Sequence, residues 1–348
     1  MNLPDIVAVT GATGHLGNVL IRELLRRGRR VRALVEPSDD LRPLSGLPVE
    51  IVRGDVTRKE TLDGAFSGAD LVFHLAGVVS ISSLDVDLVR TVNVDGTRNV
   101  VEAARRAGVR RLVYTSSVHA FTEPPPGGVL VETAGYDPTL APGDYGKAKA
   151  EASRIVLEAT RGGVDAVIVN PTAVLGPFDY RISEMGELVR MFARRRLPAV
   201  VDGGYDFVDV RDVAMGHLLA AEKGRTGESY LLTGGRMSVR ELMRVLGDEA
   251  GRPPPRLVLS LPVAAAIARF APAWERITGR RALLTPYAVH TISIDFEIRD
   301  RKARDELGFT SMPVEQSLRD AWRWMTGDPE SPLGKGLPPV RPGRASRK

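Results

Sequence analysis

The stretch Tyr145-Gly146-Lys147-Ala148-Lys149 sets a phenol and an amine four residues apart. On a helix that interval brings both side chains to one face. A helix entered at Gly143-Asp144 and continuing through Ala148, Ala150, Ala152 and Ile155 is what the apolar positions predict. An unperturbed tyrosine titrates near ~10 and exchanges protons poorly at neutral pH, but a neighbouring ammonium favours the phenolate. The spacing therefore predicts a Tyr145 whose pKa is lowered by Lys149 and which acts as a general acid and base. Taken alone the interval is more often a solubility pair on a surface helix, so the elements around it have to decide.

Those elements start with Asp5–Thr10, a β-branched run that ends in Gly11-Ala12-Thr13-Gly14-His15-Leu16-Gly17. Val19, Leu20, Leu24 and Leu25 then recur at helical spacing. Strand, glycine turn and helix in this order form a cradle for phosphate, since glycines admit a close backbone and the helix start offers free amides. A second strand, Arg30–Val35, ends at Glu36, whose carboxylate can accept from ribose hydroxyls and would repel a 2′-phosphate. This favours NAD over NADP, with Arg32 and Arg42 as the alternative, phosphate-binding reading. A third strand, Val49–Arg53, delivers Gly54-Asp55-Val56, with Asp55 placed for an adenine amino group. The fourth, Asp70–Leu75, opens into Ala76-Gly77 beneath a flat ring, and a long helix from about Val86 to Ala107 carries Asn93 and Asn99. The fifth, Arg111–Tyr114, delivers Thr115-Ser116-Ser117, and the sixth, Asp165–Val169, delivers Asn170-Pro171-Thr172 before Gly176-Pro177. The alternation predicts an α/β fold, a doubly wound parallel sheet of Rossmann type, with ligands at the strand C-terminal ends.

The second half is less regular. Helical patterns at Ile182–Arg195, Val213–Lys223, Ser238–Ala250, Pro262–Thr278, Arg301–Leu307 and Val314–Met325 alternate with short strands at Asp206–Val210 and Glu228–Thr233. We expect residues 1–178, with 202–227 returning to them, to form the dinucleotide-binding domain. Residues 179–201 and 228–327 form a smaller, partly interleaved substrate-binding cap, and 328–348 a disordered basic tail. The net charge of +5 comes wholly from Ser331–Lys348, where Lys335, Arg341, Arg344, Arg347 and Lys348 face no acid. A nucleic-acid partner is not expected. The absence of cysteine excludes disulfides and thiolate chemistry and fits a cytoplasmic location. Five histidines without paired ligand spacing predict no metal. Pro262, Arg269 and Pro272 interrupt the apolar stretch Leu257–Trp274, so it predicts no membrane span. It reads as a helix over a hydrophobic pocket, with peripheral membrane contact as the alternative.

With the glycine turn, Gly54-Asp55-Val56, His74-Leu75-Ala76-Gly77, Ser116-Ser117, Tyr145-x-x-x-Lys149 and Asn170-Pro171 all in order, residues 5–326 resemble the extended short-chain dehydrogenase/reductases. The resemblance implies that Tyr145 moves the substrate proton, that Lys149 binds the nicotinamide ribose and lowers the tyrosine's pKa, and that Ser117 holds the substrate oxygen. It gives Ser116 a supporting place at the strand end and His74 no chemistry. It further implies cofactor contacts from Gly11, Thr13, Gly14, His15, Leu16, Gly17, Glu36, Asp55, Val56, Leu75, Ala76, Gly77, Asn93, Asn170, Pro171 and Thr172, and a homodimer formed through the two long helices. Members acting on nucleotide sugars carry an arginine where this chain has Asn170, an asparagine where it has Ala173, and a later arginine where it has Tyr205. The segment Val169–Pro177 instead looks like that of dihydroflavonol-reductase-like, 3β-hydroxysteroid-dehydrogenase-like and hopanoid-associated sugar-epimerase-like members.

Three functions follow from the resemblance. The first is hydride transfer between a nicotinamide and a secondary alcohol or ketone carbon, and the second is redox-neutral epimerisation of a sugar substrate. The third is dinucleotide binding without turnover, which the retention of both Tyr145 and Lys149 argues against. Val118 and His119 after Ser117 supply no acid/base pair of dehydratase type, which ranks that reaction lowest.

Overall fold

The computed structural model describes residues 5–279 and 281–327; the expected basic tail lies outside the described residues. Seven parallel strands form the main sheet: β1 (Ile6–Thr10), β2 (Arg30–Val35), β3 (Glu50–Arg53), β4 (Leu71–His74), β5 (Arg111–Thr115), β6 (Ala166–Pro171) and β7 (Ser229–Leu232). Their spatial order is β7-β6-β5-β4-β1-β2-β3. Alternate residues of each strand face opposite layers. Val7, Val9, Val113, Val167 and Val169 pack with the His15–Arg26 and Val210–Lys223 helices. Ala8, Val72, Leu112 and Ile168 pack with the Gly96–Arg106 and Gly143–Arg161 helices. Burial on both faces explains why these strands read as continuous apolar runs.

The strand order reverses between β1 and β4, and the gap that opens beyond their C-terminal ends is where ligands sit in sheets of this kind. The glycine turn follows β1 and Ala76-Gly77 follows β4, so both border that gap. They are in close contact: Gly11 has φ +66°, and a Cβ there would lie 2.7 Å from Ala76 N. A Cβ on Gly17 would lie 2.1 Å from Gly11 O, so helix and turn can meet this closely only without a side chain.

The structure corrects several expectations. Ser229–Leu232, assigned to the cap, pairs with β6 as the edge strand of the main sheet; its apolar pattern marks a strand but not the sheet it joins. The long helix is continuous from Val86 to Arg106 but contains a wide π turn at Thr91–Asp95. Pro262–Thr278 is two short helices, Leu261–Ala268 and Ala271–Thr278, because Pro272 opens a new helix start. Away from the main sheet, Gly204–Asp209 pairs in parallel with Ala173–Leu175 and antiparallel with Gly235–Ser238. Ala199–Val201 pairs with Leu257–Leu259, and Val129–Leu130 with Glu297–Ile298. No helix among the described residues is long and apolar enough to cross a membrane.

Candidate active site

Tyr145 and Lys149 lie in the first turns of the Gly143–Arg161 helix, and both are buried. The helix enters past Pro142, and Gly143, with φ +61°, lets Tyr287 approach. Lys149 does not reach toward the Tyr145 phenol. Its Nζ donates to Thr115 O at the end of β5 (2.8 Å) and meets Tyr114 Oη at 3.5 Å, over the Tyr114 ring. Thr115 is itself held by its hydroxyl, which bonds His217 Nε2 at 2.7 Å. Below it, Ser116 Oγ and Ser153 Oγ are 2.6 Å apart, and Ser153 Oγ donates to Lys149 O. Ser116 thus supports the strand end as expected, and Ser117 stands free of that network.

Burial dominates the proton affinities. It pushes Tyr145 up to about 12, opposed by a hydrogen bond with Ser117, and pushes Lys149 down to about 7. The sequence reading, in which Lys149 lowers Tyr145, is therefore corrected for the protein alone: desolvation outweighs the cation, whose head points to the β5 carbonyl. A phenol in this state holds its proton at neutral pH and is a donor.

A second set of buried contacts fixes the floor. Asn93, carried inward by the π turn, accepts from Val78 N and donates to Val78 O, both at 2.9 Å, pinning the backbone after Gly77. A Cβ on Gly77 would lie 2.8 Å from Asn93 Oδ1 and 3.3 Å from Lys149 Nζ, so the three converge. Thr97 Oγ1 donates to Asn93 O and meets His74 Nε2 at 3.0 Å, and His74 Nδ1 meets Thr10 Oγ1 at 2.8 Å. Burial holds His74 down to about 3, so it is a neutral link in this chain and has no charge to offer.

On the glycine-turn side, Gly14 caps the His15–Arg26 helix with no side-chain bond and no acid in the first turn, leaving the first amides free for an anion. Thr13 Oγ1 donates to Asp39 Oδ2 (2.6 Å), which places the Thr13 hydroxyl in the scaffold; Asp39 also pairs with Arg181. His15 Nε2 meets Pro177 O at 2.9 Å and ties the turn to the segment after β6, while Leu16 packs against the core. Glu36 is exposed at the end of β2, accepting from Ser38 Oγ at 3.0 Å. Asp55 is half-buried, with Oδ1 accepting from Thr57 N, and Val56 is buried against Gly96. Leu75 and Ala76 border the gap after β4. After β6 the set divides. Both polar groups of Asn170 are engaged, with Tyr136 Oη at 3.0 Å and Tyr230 O at 3.5 Å. Pro171 ends the strand, and the buried Thr172 hydroxyl lies beside the Asp206 carboxyl.

Three aromatic side chains complete the pocket beside Tyr145. The His119 ring lies 6.5 Å from that of Tyr145, 5.8 Å from Tyr205 and 5.6 Å from Tyr287, and Tyr205 Oη hydrogen-bonds His119 Nε2. Burial holds His119 down to about 4 and Tyr205 well up, so this wall is neutral. The Tyr287 hydroxyl is buried without a partner among the described residues. Sequence reading noted Tyr205 only as a replaced arginine and missed Tyr287. Thr285-Pro286 does announce a helix start there, and Thr285 Oγ1 accepts from Ala288 N. Nothing local says which site that helix covers.

The match to known proteins follows this layout. Residues 7–233 fit the model of the NAD dependent epimerase/dehydratase family. The chain belongs to that family. It is an NAD(P)-dependent enzyme of the extended short-chain dehydrogenase/reductase type. Among its relatives is sterol demethylase protein B of Methylococcus capsulatus, 37% identical over 319 residues that cover 91% of this chain and 97% of that protein. Another is the 4-hydroxy-2-methyl-3-oxo-4-farnesyl-3,4-dihydroquinoline-1-oxide ketoreductase of Stigmatella aurantiaca, 30% identical over 96% of this chain and 98% of that protein. The crystal structure of gox2253 superposes with a TM-score of 0.79 at 32% identity, covering 92% of this chain and 98% of that one.

Proposed function

We propose that the enzyme carries out net oxidation or reduction at a secondary alcohol or ketone carbon of an apolar substrate, with a dissociable NAD. The observation that carries this reading is the neutral aromatic wall of His119, Tyr205 and Tyr287 around Tyr145. A nucleotide diphosphate needs cations or donors there. Tyr205 instead bonds His119, and the nearby Arg236 directs its Nη2 to Ile294 O at 2.6 Å. Both relatives described above are named for molecules with a large apolar part, one a sterol and one a dihydroquinoline oxide that carries a farnesyl chain.

In this reading Tyr145 donates its proton to the ketone oxygen in reduction and takes it back in oxidation, while the Ser117 hydroxyl holds that oxygen. Lys149, anchored on Thr115 O, holds the ribose beside the pinned Gly77 backbone. When bound, the nicotinamide supplies or accepts the hydride. The aromatic wall excludes water, and the Tyr287 hydroxyl offers a donor to a second polar group of the substrate. The glycine cradle, the free amides at Gly14 and the Gly77–Asn93–Lys149 cluster suit a dinucleotide.

Glu36 supports NAD over NADP. The arginines that could serve a 2′-phosphate are engaged elsewhere, Arg32 with the carbonyls of Ala65 and Ser67 and with Glu50, and Arg42 with Asp40. Residues 5–178 with 202–232 then hold the dinucleotide while 179–201 and 233–327 cover the substrate, in a homodimer formed through the Val86–Arg106 and Gly143–Arg161 helices.

Titration calorimetry with uridine diphosphate, in the presence of NAD, tests the substrate class. We expect no binding at millimolar nucleotide; binding in the micromolar range would overturn the apolar-substrate reading.

A further inference from the structure

On the Leu261–Ala268 and Ala271–Thr278 helices the usual amphipathic pattern is inverted. Ala264, Ala268, Ala271 and Glu275 face inward, each at most 6% exposed. Ile267, Phe270, Trp274 and Ile277 face solvent, exposed by 49%, 73%, 56% and 84%. The inner alanines have a packing reason, because Ala264 and Ala268 meet Val289 of the Pro286–Ile292 helix. The outer residues have none among the described residues. Burying such side chains stabilises a fold, so a folding requirement would have placed them inside. Leu84 extends the patch, since Ser83–Asp85 packs against the second helix.

The exposed charge on these two helices has one sign. Between Ala250 and Ile294 the only acid is Glu275, which is buried and accepts from Ala282 N at 2.9 Å. The same stretch contains six arginines, at positions 252, 256, 269, 276, 280 and 281. Arg256, Arg269 and Arg276 are exposed and have no ion pair or side-chain hydrogen bond among the described residues. The adjacent acid Asp85 is neutralised by Arg281 at 3.1 Å, and Glu184 also lies within the field of Arg281.

We propose that this helical hairpin is a docking surface for an anionic lipid bilayer. Bulky apolar side chains with an exposed tryptophan, rimmed by unpaired arginines, match the chemistry of a headgroup layer: aromatic and aliphatic groups enter the interface and guanidinium groups meet lipid phosphates. A second copy of this chain would carry the same arginines to the same face, and like charges would oppose that contact. The inner side of the hairpin supports the helix that bears Tyr287, so docking brings the bilayer one helix layer from the Tyr145 pocket. The docking stands whether or not the substrate is apolar.

Flotation of the full-length protein with vesicles tests it. We expect binding to vesicles of phosphatidylglycerol and phosphatidylcholine in equal parts, weak or no binding to phosphatidylcholine alone, and loss of binding as salt rises. The double variants Trp274→Ser/Ile277→Ser and Arg269→Glu/Arg276→Glu should each lose about tenfold or more in partitioning, at unchanged circular dichroism and thermal midpoint. Three results would overturn the proposal. One is no binding to the anionic vesicles. Another is binding that both variants retain, which would assign it to the basic C-terminal residues. The last is a wild-type oligomer in light scattering that Trp274→Ser/Ile277→Ser dissociates, which would make a second copy the occupant.

Discussion

Tyr145→Phe should lower turnover by about a hundredfold to ten-thousandfold, the range that a positioned proton donor contributes. Dinucleotide affinity and the thermal midpoint should stay where they are. The phenyl ring keeps its packing with Val89, Val94 and Ala148, and among the described residues the phenol oxygen bonds only with Ser117, which retains its contact with His119 N. The direction of the Tyr145 shift adds a pH dependence. Burial pushes Tyr145 up to about 12, so it is protonated through the neutral range and its own titration gives ketone reduction no pH dependence there. Alcohol oxidation needs the phenolate and should rise as pH rises. Steady-state rates in both directions for wild type and variant check this, and full activity in Tyr145→Phe would remove the assignment of the acid.

Lys149→Met should separate activity from stability. Burial holds Lys149 near 7 in the folded protein against 10.5 for a free lysine. Between those values the unfolded chain binds the extra proton, so this group makes the protein more stable as pH rises, by up to about 1.4 kcal/mol per unit. Below the folded value both states are protonated and the full burial penalty applies. A methionine of similar length removes that penalty but leaves Thr115 O without its donor, which costs about 1–3 kcal/mol. The variant should therefore be more stable than wild type at pH 6 by roughly 2–4 kcal/mol, lose that advantage by pH 9, and be inactive throughout. Urea unfolding at both pH values reads this out. A constant difference between the two proteins would mean that Lys149 stays charged in the fold.

Much of this site was legible because strand ends announce themselves. Apolar runs such as Ile6–Thr10 and Leu71–Leu75 stop at glycine or small residues, and the chemistry-bearing groups follow at once, so order along the chain translates into position around the sheet. What stayed hidden depends on direction or on long-range contact. The spacing of Tyr145 and Lys149 fixes a common face but not where a four-carbon stem sends its head, and here a β5 carbonyl takes it. No residue type in Val86–Ala107 marks the π turn that aims Asn93 at Val78. The apolar character of Leu257–Trp274 is plain in the sequence, but periodicity alone does not say that its alanines turn inward and its large side chains outward. Ser229–Leu232 reads as a strand from its composition, and only its pairing with β6 shows which sheet it completes.

The central claim is that chemistry at Tyr145 produces net redox change on a substrate without a nucleotide. Hydride accounting tests it most directly: pure enzyme with NAD and a panel of sterol-type and other apolar secondary alcohols, followed by the absorbance of reduced nicotinamide and by product analysis. The account predicts that reduced cofactor accumulates in many-fold excess over enzyme, in step with ketone formed, and that Tyr145→Phe abolishes it. No net reduced cofactor with any alcohol, together with tightly held NAD and interconversion of a nucleotide sugar, would contradict it and make the enzyme an epimerase.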